Sequence, residues 1–240
     1  MCTTCGCHTP LPAMPAPLPD TSWESRLVHL EADLLASNDA QAARNRQLLQ
    51  RAGVRALNLM SSPGAGKTTL LVDTIRRLQG KMPVAVIEGD QQTRLDAERI
   101  EATGVPVTQI NTGKGCHLDA RMVHQGLMQL PLLPEGVLLI ENVGNLVCPA
   151  AFDLGEHHKV VVFSVTEGED KPLKYPDMFR AADVLVLNKC DLLPHVRFDV
   201  SRALDYARQI RPDVQIFQLS ATEGSGMDAW VDWLRARVRA

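Results

Sequence analysis

No stretch of the 240 residues approaches the roughly 18 consecutive apolar residues that a membrane-spanning helix needs. The start, Met1-Cys2-Thr3-Thr4-Cys5-Gly6-Cys7-His8, has neither a basic segment nor an apolar core, so it does not read as a secretory signal. Charge of one sign is missing as well: 25 Lys and Arg against 28 Asp and Glu leave a formal net charge of -3. That removes the electrostatic case for nucleic acid or an acidic membrane as partner. There is no internal repeat. What remains is the profile of a cytosolic globular chain, in a compartment where thiols stay reduced.

Against that background the six cysteines, Cys2, Cys5, Cys7, Cys116, Cys148 and Cys190, point to metal or redox chemistry before disulfides. Prolines at nearly every second position of 9–20 forbid a helix and favour an extended tether. The expected organisation is therefore a thiol-bearing tether over 1–20 and a folded body over 21–240. The body opens on a helix from Thr21, which has capping-box spacing to Glu24. Leu27, Leu30, Leu34 and Leu35 follow at helical intervals, and Gly53 is its stop.

Apolar runs at 54–60, 83–87, 105–110, 137–140, 159–165, 184–187 and 214–219 read as buried strands. Helical stretches at 67–78, 94–103, 117–128, 200–210 and 226–238 separate most of them. This alternation predicts an α/β fold: a mostly parallel seven-stranded sheet with helices on both faces.

The first strand runs into Ser61-Ser62-Pro63-Gly64-Ala65-Gly66-Lys67-Thr68-Thr69. This is the P-loop pattern of an NTPase, with Ser61 in place of the first glycine. Gly64, Ala65 and Gly66 would turn backbone N–H groups toward phosphate, and the following helix adds its positive end. Lys67 would reach the β- and γ-phosphates; Thr68 would place a hydroxyl on Mg²⁺ and Thr69 would extend the loop. A serine at position 61 costs something if the turn needs a positive φ there.

Strand 184–187 delivers Asn188-Lys189-Cys190-Asp191, an N-K-x-D sequence at the sheet edge where ligands bind. The Asp191 carboxylate matches guanine's N1 and N2 donors, which adenine lacks. Asn188 would brace the loop and Lys189 would lie over the base. Ser220-Ala221 follows the next strand, where G proteins place a backbone N–H on the guanine oxygen. Glu88-Gly89-Asp90 and Glu141-Asn142-Val143-Gly144 end two further strands. From these, Asp90 and Glu141 are candidates to hold Mg²⁺ or its waters, and Gly144 is a candidate sensor of the γ-phosphate. No catalytic glutamine is evident, which implies slow intrinsic hydrolysis or groups supplied by a partner subunit.

Cys116-His117 and Cys148 offer two soft thiolates and an imidazole, a set that suits Zn²⁺ or Ni²⁺. The competing reading is that a lone buried cysteine is a small apolar filler. Three ligands from one chain would leave a tetrahedral ion one short, which a two-fold interface could remedy. Cys2, Cys5 and Cys7 form C-x-x-C-x-C, three thiolates that can wrap one ion; no role, and more weakly a redox role, are the alternatives. His124, His157, His158 and His195 read as surface or cap residues.

These segments, together with Thr166-Glu167-Gly168-Glu169-Asp170-Lys171-Pro172-Leu173-Lys174-Tyr175-Pro176, resemble the HypB family of hydrogenase nickel-incorporation GTPases over nearly the whole chain. Ser61 matches that family's own P-loop. The resemblance implies GTP/GDP binding with Mg²⁺ and a nickel site at Cys2, Cys5 and Cys7. It also implies a second nickel or zinc site at Cys116, His117 and Cys148 near the interface of a GTP-dependent homodimer. The partners it implies are a HypA-like maturation protein and the large-subunit precursor of a [NiFe]-hydrogenase.

Overall fold

The structure, a computed structural model, describes residues 23–132 and 134–239. The expected helix start at Thr21, the tether and its three cysteines lie outside the described residues. The chain divides into two compact units, 1–34 and 35–240. The first is described only over the opening of helix α1 (Trp23–Ala52), where Trp23, Leu27, Val28, Leu30 and Leu34 are exposed.

The second unit is a single sheet of seven strands: β1 (Arg55–Ser61), β2 (Val84–Asp90), β3 (Val107–Asn111), β4 (Val137–Glu141), β5 (His158–Ser164), β6 (Val184–Asn188) and β7 (Gln215–Gln218). Their order is β3-β2-β4-β1-β5-β6-β7. Every pairing is parallel, so the sheet is wholly rather than mostly parallel. Between the strands lie α2 (Lys67–Leu78), α3 (Leu95–Glu101), α4 (Ala120–Leu127), the short α5 (Lys171–Lys174) and α6 (Pro176–Ala181), α7 (Val200–Ile210) and, last, α8 (Met227–Arg239).

Side chains alternate across the sheet, as a strand's period of two requires. Leu57, Leu59, Val86, Leu139, Val160, Val162, Val184 and Val186 face one layer, with Leu71 and Ile75 of α2, Ile100 of α3 and Trp230 of α8. Their sequence neighbours face the other side. Met60, Val161, Phe163 and Leu185 meet Met178, Phe179 and Ala203 of α6 and α7. Ala56, Ile87, Leu138 and Ile140 meet Leu49 of α1 and Val123 and Leu127 of α4. Burial on both faces explains why the strands read as continuous apolar runs.

Two departures from the sequence reading matter for the site. Strands β2 and β4 extend to Asp90 and Glu141, so these acids belong to the ladder and do not follow it. Helix α4 begins at Ala120, not His117: the Asp119 side chain accepts from Met122 N–H and caps it, which leaves Cys116 and His117 on a loop.

Candidate functional site

The strand order places the C-terminal ends of β1 and β4 side by side, and the chain reverses direction through the sheet there. The loop after β1 carries Gly64 and Gly66 with positive φ, 75° and 97°. Gly66 is also tightly enclosed: a Cβ there would lie 2.6 Å from Asn188 Nδ2. Ser61 is the last residue of β1 and has no positive φ. Its hydroxyl instead accepts from the Lys67 ammonium at 2.8 Å. Burial pulls the Lys67 pKa down, against the attraction of Glu141. The serine therefore gives a buried cation a partner that glycine could not supply.

Beside Lys67, the Thr68 hydroxyl donates to Glu141 Oε1 at 2.7 Å. Glu141 stands opposite Glu88 in the β2–β4 register. Burial raises Glu141 to about 7, with Lys67 opposing; burial and then Glu141 raise Glu88 to about 8. Each acid keeps a buried Oε2 without a hydrogen-bond partner. Paired orphan carboxylate oxygens next to a threonine hydroxyl fit a hard divalent cation such as Mg²⁺. Asp90 lines the same cleft, but its Oδ2 is engaged by the Thr93 N–H and hydroxyl. Burial raises the Asp90 pKa and those hydrogen bonds outweigh it, so the net shift is downward. Glu88, Asp96 and Arg99 were not selected by sequence reasoning. Glu88 and Asp90 share a strand face by their i, i+2 spacing; Asp96 and Arg99 line the cleft, with Arg99 bonded to Asp96 and to Thr69 Oγ1, both at 3.1 Å. The open cleft over these residues measures about 540 Å³.

Asn188, at the end of β6, donates to Ala65 O at 3.0 Å and accepts from Ala221 N–H at 3.1 Å. It braces the phosphate loop against the Ser220-Ala221 turn. Lys189 Nζ lies on Gly64 O at 2.7 Å. Asp191 Oδ1 is buried and has no partner, an unmet acceptor of the kind a guanine edge would satisfy. Ser220 N–H and Ala221 N–H both donate within the protein, to Ser225 O and Asn188 Oδ1. A base oxygen contacting either would have to displace a protein acceptor.

The turn after β4 reaches back to the phosphate loop. A Cβ at Gly144 would lie 3.1 Å from Pro63 Cα. Four residues later Cys148 opens a 3₁₀ turn with Pro149 behind it. Its Sγ is 3.0 Å from Cys116 Sγ, and the latter is 3.6 Å from His117 Nδ1. One donor atom from each of the three lies within 4.8 Å of the others. The hydrogen bond to Cys148, with burial, pushes the Cys116 thiol above its ordinary range. Burial holds His117 below its ordinary value, against Asp119, so its ring stays a neutral donor; it packs 4.0 Å from the Phe152 ring. Two hydrogen-bonded thiols beside an imidazole are a set that a thiophilic cation can take over, displacing their protons.

Among the remaining histidines, His157 is not a surface or cap residue. It is partly buried, and its Nδ1 accepts from Ala56 N–H at 3.0 Å. Among the described residues the remaining thiol, Cys190, donates to Leu187 O at 3.3 Å in the turn after β6.

An all-parallel sheet with a glycine-rich turn between its central strand and a helix N-terminus defines a P-loop NTPase-type protein. The family described as CobW/HypB/UreG, nucleotide-binding domain, matches residues 55–218. A protein of Azotobacter chroococcum mcd 1, named hydrogenase maturation factor HypB, is 59% identical over 221 residues, covering 90% of this chain and 72% of its own. The crystal structure of HypB from Helicobacter pylori in complex with nickel superposes with a TM-score of 0.79 at 37% identity, over 85% of this chain and 95% of that one. HypB from Archaeoglobus fulgidus gives the same TM-score at 40% identity, over 85% and 99%. The chain belongs to the CobW/HypB/UreG family, in its HypB branch.

Proposed function

We propose that this chain is a Mg²⁺-dependent GTPase that hands nickel to the large-subunit precursor of a [NiFe]-hydrogenase, with nucleotide state governing a metal site at Cys116, His117 and Cys148. The observation that carries the proposal is the turn after β4. One end of it, Gly144, abuts the phosphate loop; the other, Cys148, stands 3.0 Å from Cys116. A rearrangement at the γ-phosphate would act on a metal ligand four residues away. The relatives' name supports a role in hydrogenase maturation, and the nickel complex of the H. pylori protein supports nickel as cargo. The same donor set would accept Zn²⁺.

In this reading the N–H groups of residues 64–69 and the start of α2 cradle the phosphates. Lys67 leaves Ser61 to meet the β- and γ-phosphates. Thr68 and Glu141 hold Mg²⁺, with Glu88 behind them and Asp90 at the rim. When bound there, Mg²⁺ neutralises charge on the β- and γ-phosphate oxygens. Asp191 reads the guanine edge. Three donors leave a tetrahedral ion one short, so a GTP-dependent homodimer would complete or occlude the site. Cys2, Cys5 and Cys7 would form a separate capture site on the tether, and a HypA-like protein would receive or supply nickel. Release of nickel from the full chain tests the reading. Loaded protein with GDP should give a different nickel affinity from protein with a non-hydrolysable GTP analogue; equal affinity in the two states would sink it.

A further inference from the structure

The proposed gating needs a physical link between the turn that faces phosphate and the loop that carries Cys116 and His117. We propose that Asn142 is that link: a positioning residue whose one amide oxygen ties both segments together. Asn142 follows β4 directly and is 1% exposed. Its Oδ1 accepts from Val143 N–H and from Leu118 N–H, each at 3.0 Å. Val143 precedes Gly144, which lies against Pro63 of the phosphate loop. Leu118 follows His117, is fully buried, and packs on Gly89 of β2. One acceptor atom thus holds a peptide of the nucleotide turn and a peptide of the metal loop.

The amide itself has little freedom. Its Nδ2 donates to Asn58 Oδ1 at 3.2 Å, and Asn58 Nδ2 donates to Glu156 Oε1 at 3.2 Å. The other Glu156 oxygen accepts from Leu154 N–H at 2.6 Å. Asn142 N–H continues the ladder to Leu59 O at 3.0 Å. These partners are buried on a sheet face that is otherwise apolar, where leaving any member unpaired is costly. Displacing Val143 must therefore carry Leu118 with it or break a buried hydrogen bond. A second tie runs parallel: Asn145 Nδ2 reaches Cys116 O at 3.4 Å while its Oδ1 accepts from Val147 N–H at 2.8 Å. Its bond to Cys116 is longer and only partly buried, so Asn142 is the stiffer coupler.

The inference rests on the gating reading above, and its test separates the two. In the full chain with Cys2, Cys5 and Cys7 replaced by serine, nickel(II) affinity is titrated by thiolate-to-nickel charge-transfer absorption, with GDP and with a non-hydrolysable GTP analogue; the ratio of the two measures the coupling. Asn142→Ala should bring that ratio to within about twofold of one, while Asn142→Asp, which gives up the donation to Asn58 at a cost in stability but keeps both acceptor bonds, should retain most of it. A wild-type ratio of one overturns gating and this link with it. A wild-type ratio away from one that survives in Asn142→Ala overturns the link alone. Hydrogen exchange on the wild-type protein gives an answer even if the alanine variant does not fold. Protection of the Leu118 and Val143 amides should change together on exchanging nucleotide; a change at Val143 with none at Leu118 overturns the link.

Discussion

Glu88 and Glu141 face each other across the β2–β4 ladder, and each retains one buried carboxylate oxygen with no protein partner. Adjacent buried acids repel unless a proton or a cation lies between them. Glu141→Gln keeps the size and an acceptor for the Thr68 hydroxyl but removes the charge. The expected result is a loss of Mg²⁺-dependent phosphate release of about 100-fold or more, in line with the removal of one preorganised electrostatic partner. Glu88→Gln should be more stable than wild type without Mg²⁺ and should gain less from adding it. Thermal melts with and without Mg²⁺ and GDP check this; equal Mg²⁺ stabilisation in both proteins would remove Glu88 from the cation site.

The Lys67–Ser61 contact makes a separate prediction. Lys67 is buried beside Glu141, whose attraction favours the ammonium against burial; a hydrogen bond from that ammonium to Ser61 is one to a charged group, worth about 1.5–3 kcal/mol. Ser61→Ala should destabilise the nucleotide-free protein by up to that amount. It should also tighten GDP binding, since the lysine no longer leaves a protein acceptor to meet phosphate. Urea unfolding and calorimetric titration with GDP measure the two halves, and weaker GDP binding would contradict the second.

Asp191 Oδ1 is positioned as an unmet acceptor. Asp191→Asn presents a donor in its place, which matches xanthine and clashes with guanine. GDP affinity should fall by about 100-fold or more, approaching the roughly 10⁴-fold range of hydrogen-bond readout, and XDP should become the better ligand. Unchanged preference for GDP would show that the base is read elsewhere.

Much of this architecture is legible along the chain. Helices α2 and α7 have the ends that periodicity assigns, and each apolar run overlaps a strand, with ends shifted by at most three residues. Position in depth is less visible. Glu88 closes no apolar run, so periodicity places it outside β2, although the ladder carries it into the interior. Asn58 and Asn142 look like ordinary polar residues; only the parallel pairing of β1 with β4 makes them a buried pair. Asp119 moves the start of α4 by three residues because a side-chain cap outweighs the helical pattern from 117. Cys116 and Cys148 can be chosen as thiols by chemistry, but their 3.0 Å approach follows from how the loops after β3 and β4 meet. The short helices α5 and α6 escape periodicity because four to six residues carry too little of it.

Metal removal follows from the same geometry. Cys148→Ala should lower nickel affinity at the loop site by at least about 100-fold, since losing one of three donors exceeds the usual 10–100-fold cost of an outer-shell change. Cys190→Ala should leave that affinity within about twofold, as for an independent site. Titration is done with Cys2, Cys5 and Cys7 replaced by serine, so that only one class of site reports. Equal affinity in Cys148→Ala and wild type would remove Cys148 from the ligand set.

Acid stability turns on His157. Its ring accepts from Ala56 N–H at 3.0 Å. Burial, with Arg55, His158 and Arg46 nearby, lowers its pKa to about 4 from an ordinary 6.5. Above pH 6.5 neither the folded nor the unfolded chain holds the proton, and the contribution to stability is complete. Between 6.5 and 4 the unfolded chain takes it up and the folded chain does not, so stability falls as pH falls. Below about 4 the loss levels off, and protonation at Nδ1 would also cancel the acceptor that Ala56 uses. His157→Asn keeps an acceptor near that position and does not titrate. Urea midpoints from pH 7 to pH 4 should therefore fall less steeply in the variant. Parallel curves would mean that the acid sensitivity of the fold lies in its carboxylates and not in this ring.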